Sequence, residues 1–171
     1  RMGHDVICIA GNTSATPGIK LPDVRHRASP EEMLNEAKKV SMEESPDVWI
    51  FSAAVLDYVP EVIAGKIPSG DTNISISLVP TKKHIPEILT NTEGCISIGF
   101  KLESNIGYPE LIDKARLQMD RYSLDSVVAN RLQDLDDPDA PRCWLVDSNG
   151  STTEIASLQS LCSKIEEYIS S

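Results

Sequence analysis

Aromatic residues make up only 5% of this 171-residue sequence, and positive charge is in deficit: 16 Lys and Arg stand against 26 Asp and Glu, a net charge of −10 at pH 7. So acidic a chain is a poor general binder of nucleic acid or of an anionic membrane surface, and neither partner is expected. A small local pocket of lysines for phosphates is compatible with that balance. No apolar run approaches the roughly 18 residues a membrane-crossing helix needs. Cysteine is sparse: Cys8, Cys95, Cys143 and Cys162 stand far apart, with no CxxC pair and no His at ligand spacing. A zinc site is therefore not expected, and a reduced, cytoplasmic protein is. Cys8 and Cys95 lie in apolar runs and read as small buried hydrophobes. Several signatures are missing too: there is no GxSxG elbow, no Walker loop and no GxGxxG fingerprint.

What is present is a globular balance, 40% hydrophobic, in a length that suits one domain and a full core. A single domain over residues 1–171 is expected. Arg1-Met2-Gly3-His4 reads as the last turn of a helix, a glycine ending it, and entry to a strand. A strand and helix are expected ahead of it, an ordinary short tail being the other reading. Apolar strands follow over 5–10, 47–52, 95–100, 126–129 and 143–146, with a short strand over 24–28 and a half-exposed one over 74–78. Between them, Ser29-Pro30-Glu31-Glu32 starts a helix with a capping box, and helices are expected over 85–91 and 109–122. Residues 59–73 read as a loop or flap, 135–141 as a solvated loop, and Asn149-Gly150 as a hairpin turn. A last helix places Leu158, Leu161, Cys162, Ile165, Tyr168 and Ile169 on one stripe. Buried strands alternating with helices predict an α/β fold, a Rossmann-like three-layer α/β/α sandwich with a mostly parallel sheet.

In such sheets ligands sit beyond the carboxyl ends of the strands. That selects residues 11–14, 53–57, 100–104 and Asn130. Ala53 and Ala54 are small enough for a ligand to approach the backbone, and Asp57 after them can accept from sugar hydroxyls or help hold a metal. An ordinary strand-to-loop turn is the plainer reading. Lys66, in the flap, can bring a point charge to phosphates on closure; otherwise it is a solvated lysine. Thr81-Lys82-Lys83-His84 heads a short helix and can hold a triphosphate, or is surface charge.

Taken in order, these segments resemble phosphopantothenate–cysteine ligase, also called phosphopantothenoylcysteine synthetase. Gly3-His4-Asp5-Val6 is similar to the strand after the family's first helix. Ser29-Pro30-Glu31-Glu32-Met33 resembles its Thr-x-x-Glu-Met helix start. Ala53-Ala54-Val55-Leu56-Asp57-Tyr58 resembles the signature Ala-Ala-Val-x-Asp-Tyr, Lys66-Ile67 the flap Lys-Ile, Ile98-Gly99-Phe100-Lys101-Leu102-Glu103 the Gly-Phe-Lys-Leu-Glu of stand-alone and eukaryotic members, and Val127-Val128-Ala129-Asn130 the family's Val-Ala-Asn.

The resemblance implies a two-step ligation in coenzyme A biosynthesis. A nucleoside triphosphate, CTP or ATP, activates the carboxylate of 4′-phosphopantothenate as an acyl-nucleotidylate, and the amine of cysteine attacks the acyl carbon. It implies Mg2+ as the accompanying ion, a homodimer with the flap near the subunit boundary, and small-molecule substrates. Lys66 would act on the triphosphate. Ala53, Ala54, Asp57, Lys82, Lys83, His84, Ile85 and Phe100 would bind nucleotide, Asp57 on the ribose or base side, and Asn130 would bind substrate. No protein metal ligand follows from it. The chain departs from the pattern at Gln118 and Tyr122, where bifunctional bacterial members carry two lysines, which leaves CTP and ATP both open. The family's N-terminal Gly-rich segment with its Asn is absent, and without a flavin-binding decarboxylase domain FMN is not expected. Two other classes remain: a nucleotide-binding, non-catalytic paralogue or fragment, and a generic Rossmann-like oxidoreductase.

Overall fold

The structure, a computed structural model, describes residues 3–12, 23–62, 64–65 and 73–170. In chain order its elements are β1 (Ile7–Ala10), β2 (Asp23–His26), α1 (Pro30–Glu44), β3 (Val48–Phe51), β4 (Tyr58–Pro60), β5 (Leu78–Pro80), α2 (His84–Leu89), β6 (Ile96–Glu103), α3 (Tyr108–Tyr122), β7 (Ser126–Arg131), β8 (Cys143–Asp147), β9 (Thr152–Ile155) and α4 (Leu158–Ile169). They fall into two compact units, Arg1–Glu43 with Ala53–Asn91, and Glu44–Ser52 with Thr92–Ser171.

The second unit is built on a five-stranded sheet of order β3-β6-β7-β8-β9. β3, β6 and β7 run parallel, β8 pairs antiparallel to β7, and β9 pairs antiparallel to β8 and so runs in the direction of the first three. The register Phe100↔Val128 and Val128↔Leu145 puts one set of side chains on one face. There Ile98, Val128, Cys143, Leu145 and Ile155 pack with Leu161 of α4, and Ile165, Tyr168 and Ile169 cover their edge. The opposite face presents Val127, Ala129 and Val146, and α3 buries Leu111, Ile112, Ala115 and Met119. Gly99 is required on this face. A Cβ there would stand 2.7 Å from Leu124 Cδ1, closer than real side chains approach. At the start of the sheet, Asp125 Oδ2 accepts from Ser97 N at 2.7 Å and Ser97 Oγ at 2.8 Å, fastening β6 to β7. The hairpin turn between β8 and β9 falls at Asn149-Gly150, where Gly150 takes φ +88.

In the first unit β1 and β2 form a parallel pair, and β4 and β5 a short antiparallel pair. The capping box forms as the sequence predicts: Glu32 N donates to Ser29 Oγ at 3.2 Å, and Ser29 N to Glu32 Oε2 at 3.0 Å. α1 buries Leu34, Ala37 and Val40.

The α/β class and the mostly parallel sheet stand. Of the four strands expected side by side, β3, β6 and β7 share the sheet, whereas β1 is hydrogen-bonded to β2 in a pair of its own. Every residue of β1 is only half-buried, and so are Cys8 and Cys95, which the sequence suggested as core. The strand expected over 74–78 is instead β5, paired with a β4 that the sequence left as loop. Residues 73–80 are all exposed, so the alternation of Ile74, Ile76 and Leu78 has no buried side to serve. On α4, Leu158 and Cys162 lie outside the packed stripe, both exposed. The offset of four between them places the two together on the outer edge of the helix.

Candidate functional site

The antiparallel register Tyr58↔Pro80 brings the residue before β4 beside the residue after β5. The result is a corner tied three ways. Thr81 N donates to the Asp57 carbonyl at 2.9 Å, and Thr81 Oγ1 donates to the Leu56 carbonyl at 2.5 Å. The Lys83 ammonium bonds Oδ1 of Asp57. Both side chains stay open to solvent, Lys83 54% and Asp57 66% exposed. Among the described residues no second group bonds Oδ2 of Asp57. An exposed pair adds little to stability; its consequence is that one carboxylate oxygen is held and the other is left to accept. Ala53 and Ala54, four and three residues earlier, are exposed in irregular backbone.

The Thr81 to Ile85 stretch opens α2, which has six residues and no side-chain cap at Lys83. Lys82 is exposed and Ile85 half-buried. His84 is half-buried as well. Burial pushes its pKa below the usual imidazole value, against a hydrogen bond to the Pro30 backbone that favours the charged form. Glu87 is held below the usual carboxylate range, first by the Lys38 ammonium bonded to it and more weakly by Lys82. Lys66 lies outside the described residues, as do positions 13 and 14 of the first ligand-facing loop.

In the second unit, Phe100 and Asn130 share a sheet face through the registers Phe100↔Val128 and Leu102↔Asn130. Phe100 is half-buried and packs against the core under α4. Gln118 on α3 donates to the Phe100 carbonyl at 3.4 Å. Beyond these, the carboxyl end of β6 carries a charged group the sequence reading passed over. Glu103 accepts from Lys101 at 2.8 Å and from Lys114 at 2.9 Å, and the two ammonium groups hold its carboxyl below the usual range. The strand alternation of Lys101 and Glu103 was the available signal. Arg131 bonds Asp134 at 2.7 Å and lies 5.6 Å over the Trp144 ring.

Glu36 was missed in the same way. It is 7% exposed and bonds both Arg25, on β2, and Arg27, the residue just after that strand. With Arg27 it borders an open groove of about 570 Å³, lined also by His26, Ala28, Glu32, Asn35 and Lys39, which includes none of the expected site residues.

Comparison with known proteins gives the family. The chain matches, over residues 1–170, the DNA/pantothenate metabolism flavoprotein C-terminal domain. It is 32% identical over 102 residues to the coenzyme A biosynthesis bifunctional protein CoaBC of Methanocaldococcus jannaschii, covering 60% of this chain and 25% of that protein. To the same protein of Thermococcus kodakarensis it is 36% identical over 104 residues, again 60% of this chain and 26% of the relative. The chain thus spans about a quarter of the length of these curated relatives. Among solved structures, the DNA/pantothenate metabolism flavoprotein of Streptococcus pneumoniae shares the fold with a TM-score of 0.80 at 23% identity, over 97% of this chain and 82% of that one. A Cab2 variant solved in complex with phosphopantothenate-cysteine does so with a TM-score of 0.63 at 17% identity, over 86% of this chain and 54% of that one. The chain belongs to the DNA/pantothenate metabolism flavoprotein C-terminal domain family.

Proposed function

We propose that this protein performs the ligation step of coenzyme A biosynthesis, joining cysteine to 4′-phosphopantothenate at the expense of CTP or ATP. Family membership over residues 1–170 supports the assignment, as does the fold it shares with a Cab2 variant solved with phosphopantothenate-cysteine. The match along nearly the whole chain also favours treating residues 1–171 as one functional domain. The observation that carries the chemistry is the Asp57 corner: a carboxylate fixed through one oxygen and open at the other suits a ribose hydroxyl of a nucleotide.

In this mechanism a carboxylate oxygen of phosphopantothenate attacks the α-phosphorus, and pyrophosphate leaves. The cysteine amine then attacks the acyl carbon, and the nucleoside monophosphate leaves with the acyl oxygen. Negative charge grows on the phosphate oxygens in the first step, so cations placed there accelerate it. Lys66 and Lys82 supply them, Ala53, Ala54, His84, Ile85 and Phe100 line the nucleotide, and Asn130 binds the acid substrate. Among the described residues no group of three or more His, Cys, Asp and Glu side chains is placed to hold a metal ion. Mg2+ is proposed to arrive on the triphosphate, since this ion keeps most of its waters and binds largely through phosphates. A homodimer is proposed because Leu56, Tyr58, Val62, Ile74, Ile76 and Leu78 leave a strip of exposed apolar surface around β4 and β5. The reaction is proposed to take place in the cytoplasm.

The test supplies the protein with 4′-phosphopantothenate, isotope-labelled cysteine and either nucleotide. The expected result is label in an amide product, with one pyrophosphate released per bond. Nucleotide binding without product would identify a non-catalytic paralogue. Tight NAD(P)H binding without product would identify an oxidoreductase.

A further inference from the structure

Two adjacent lysines precede α2, and sequence alone gives them one role on phosphates. The structure separates them. Lys82 points its charge to solvent, exposed and only weakly felt by Glu87. Lys83 turns back and bonds Oδ1 of Asp57, at the corner already tied by the two Thr81 hydrogen bonds. An aspartate carboxylate on an exposed, irregular segment has a free choice of rotamers. A cation on one of its oxygens removes most of that freedom and aims the other oxygen. We propose that Lys83 is a positioning residue: it orients Asp57 so that Oδ2 meets the nucleotide, and it is not itself a phosphate ligand. This rests on the assignment of Asp57 to the nucleotide given above.

The two roles differ in what they do to ligands with different numbers of phosphates. A phosphate ligand loses affinity for a triphosphate and little for a monophosphate. A residue acting through Asp57 on the sugar side loses the same factor for both. Binding of ATP, AMP, CTP and CMP is therefore measured by calorimetry on the protein and on Asp57→Asn, Lys83→Met, Lys83→Arg and the Asp57→Asn/Lys83→Met pair. Both side chains are exposed, so these variants keep the fold, which circular dichroism verifies.

The expected result is about a 5- to 10-fold weakening by Lys83→Met for mono- and triphosphate alike, the factor of one hydrogen bond at a charged group held out of line. Lys83→Arg, which keeps a cation on Asp57, restores binding to within about twofold. The double variant binds no worse than Asp57→Asn alone, because the lysine has nothing left to position. A loss confined to the triphosphates, or losses that multiply in the double variant, makes Lys83 a direct phosphate ligand and overturns the proposal. If Asp57→Asn itself leaves all four nucleotides bound as before, the nucleotide assignment of Asp57 is what fails.

Discussion

The two units spend the same kind of sequence in opposite ways. The second buries its apolar residues in a sheet covered on both faces, with Ile98, Leu111, Ala115, Val127, Ala129 and Val146 fully enclosed. In the first, the buried apolar side chains among the described residues are Leu34, Ala37, Val40 and Ile88, while Leu56, Tyr58, Val62, Ile74, Ile76 and Leu78 stay exposed. Its tertiary ties are instead ionic: Arg25 and Arg27 on Glu36, Lys38 on Glu87, Lys83 on Asp57. A close-packed apolar layer resists change of shape, whereas an exposed pair such as Lys83 with Asp57 exchanges partners at small cost. One unit is thus held by packing, and the other by charge.

The largest effect that tests this contrast is a cavity in the packed layer. Leu145→Ala, at a residue 2% exposed between β7 and α4, should destabilise the protein by about 2–5 kcal/mol. Chemical denaturation reads it as a lower midpoint at unchanged slope. A loss below about 1 kcal/mol would mean that the sheet is not close-packed.

Next in size is the proposed triphosphate contact. Lys66→Gln should lower kcat by roughly 10²-fold or more, as removal of one oxyanion-type donor does. KM for nucleotide should move much less, because the charge that Lys66 meets grows as the carboxylate attacks. A near-normal kcat in that variant would reduce Lys66 to surface charge.

A smaller effect separates the units by pH. Arg27 and, after it, Arg25 hold the Glu36 carboxyl below its ordinary value of 4.5, and Lys101 and Lys114 do the same to Glu103 in the second unit. A depressed carboxylate contributes stability above the unfolded value and loses it as pH falls through the folded one. Melting temperature should therefore fall as the pH drops from 4.5 downward. Glu36→Gln should flatten the part of that fall due to the first unit and Glu103→Gln the part due to the second. Equal slopes in wild type and Glu36→Gln would show that the arginines release Glu36 in solution.

How much of this was legible in the sequence follows the same division. Continuous apolar runs such as Val48-Trp49-Ile50-Phe51 and Ser126-Val127-Val128-Ala129 can hardly be anything but sheet strands, and Ser29 with Glu32 fixes where α1 begins. The fold of the second unit was therefore readable almost element by element. The first unit was not, because its contacts join charged residues far apart in sequence. Nothing local to Glu36 says that one arginine of β2 and another just after it will meet it. Nothing local to Lys83 says that it will turn to Asp57, 26 positions away, and not outward with Lys82. The motif named Asp57 as a site residue, but only the β4–β5 register shows which of its oxygens is held.

The smallest expected effect concerns the exposed apolar strip, and it turns on whether exposure in one chain is exposure in the assembly. Val62 is 96% exposed, so Val62→Ser removes no packing within the chain. Its effect on the unfolding of an isolated chain should stay within about 0.5 kcal/mol. A second copy covering the strip changes the expectation for association alone. Each apolar side chain withdrawn from an interface weakens it in proportion to the area it buried there. Sedimentation across a dilution series should then show Val62→Ser, and more strongly Val62→Ser with Ile76→Ser, dissociating at higher protein concentration than wild type while the monomer melts as before. If both variants associate as tightly as wild type, the strip lies outside the proposed interface between copies. The apolar surface of the first unit would then stay open to solvent in the assembly as well, and the contrast with the second unit would be sharper still.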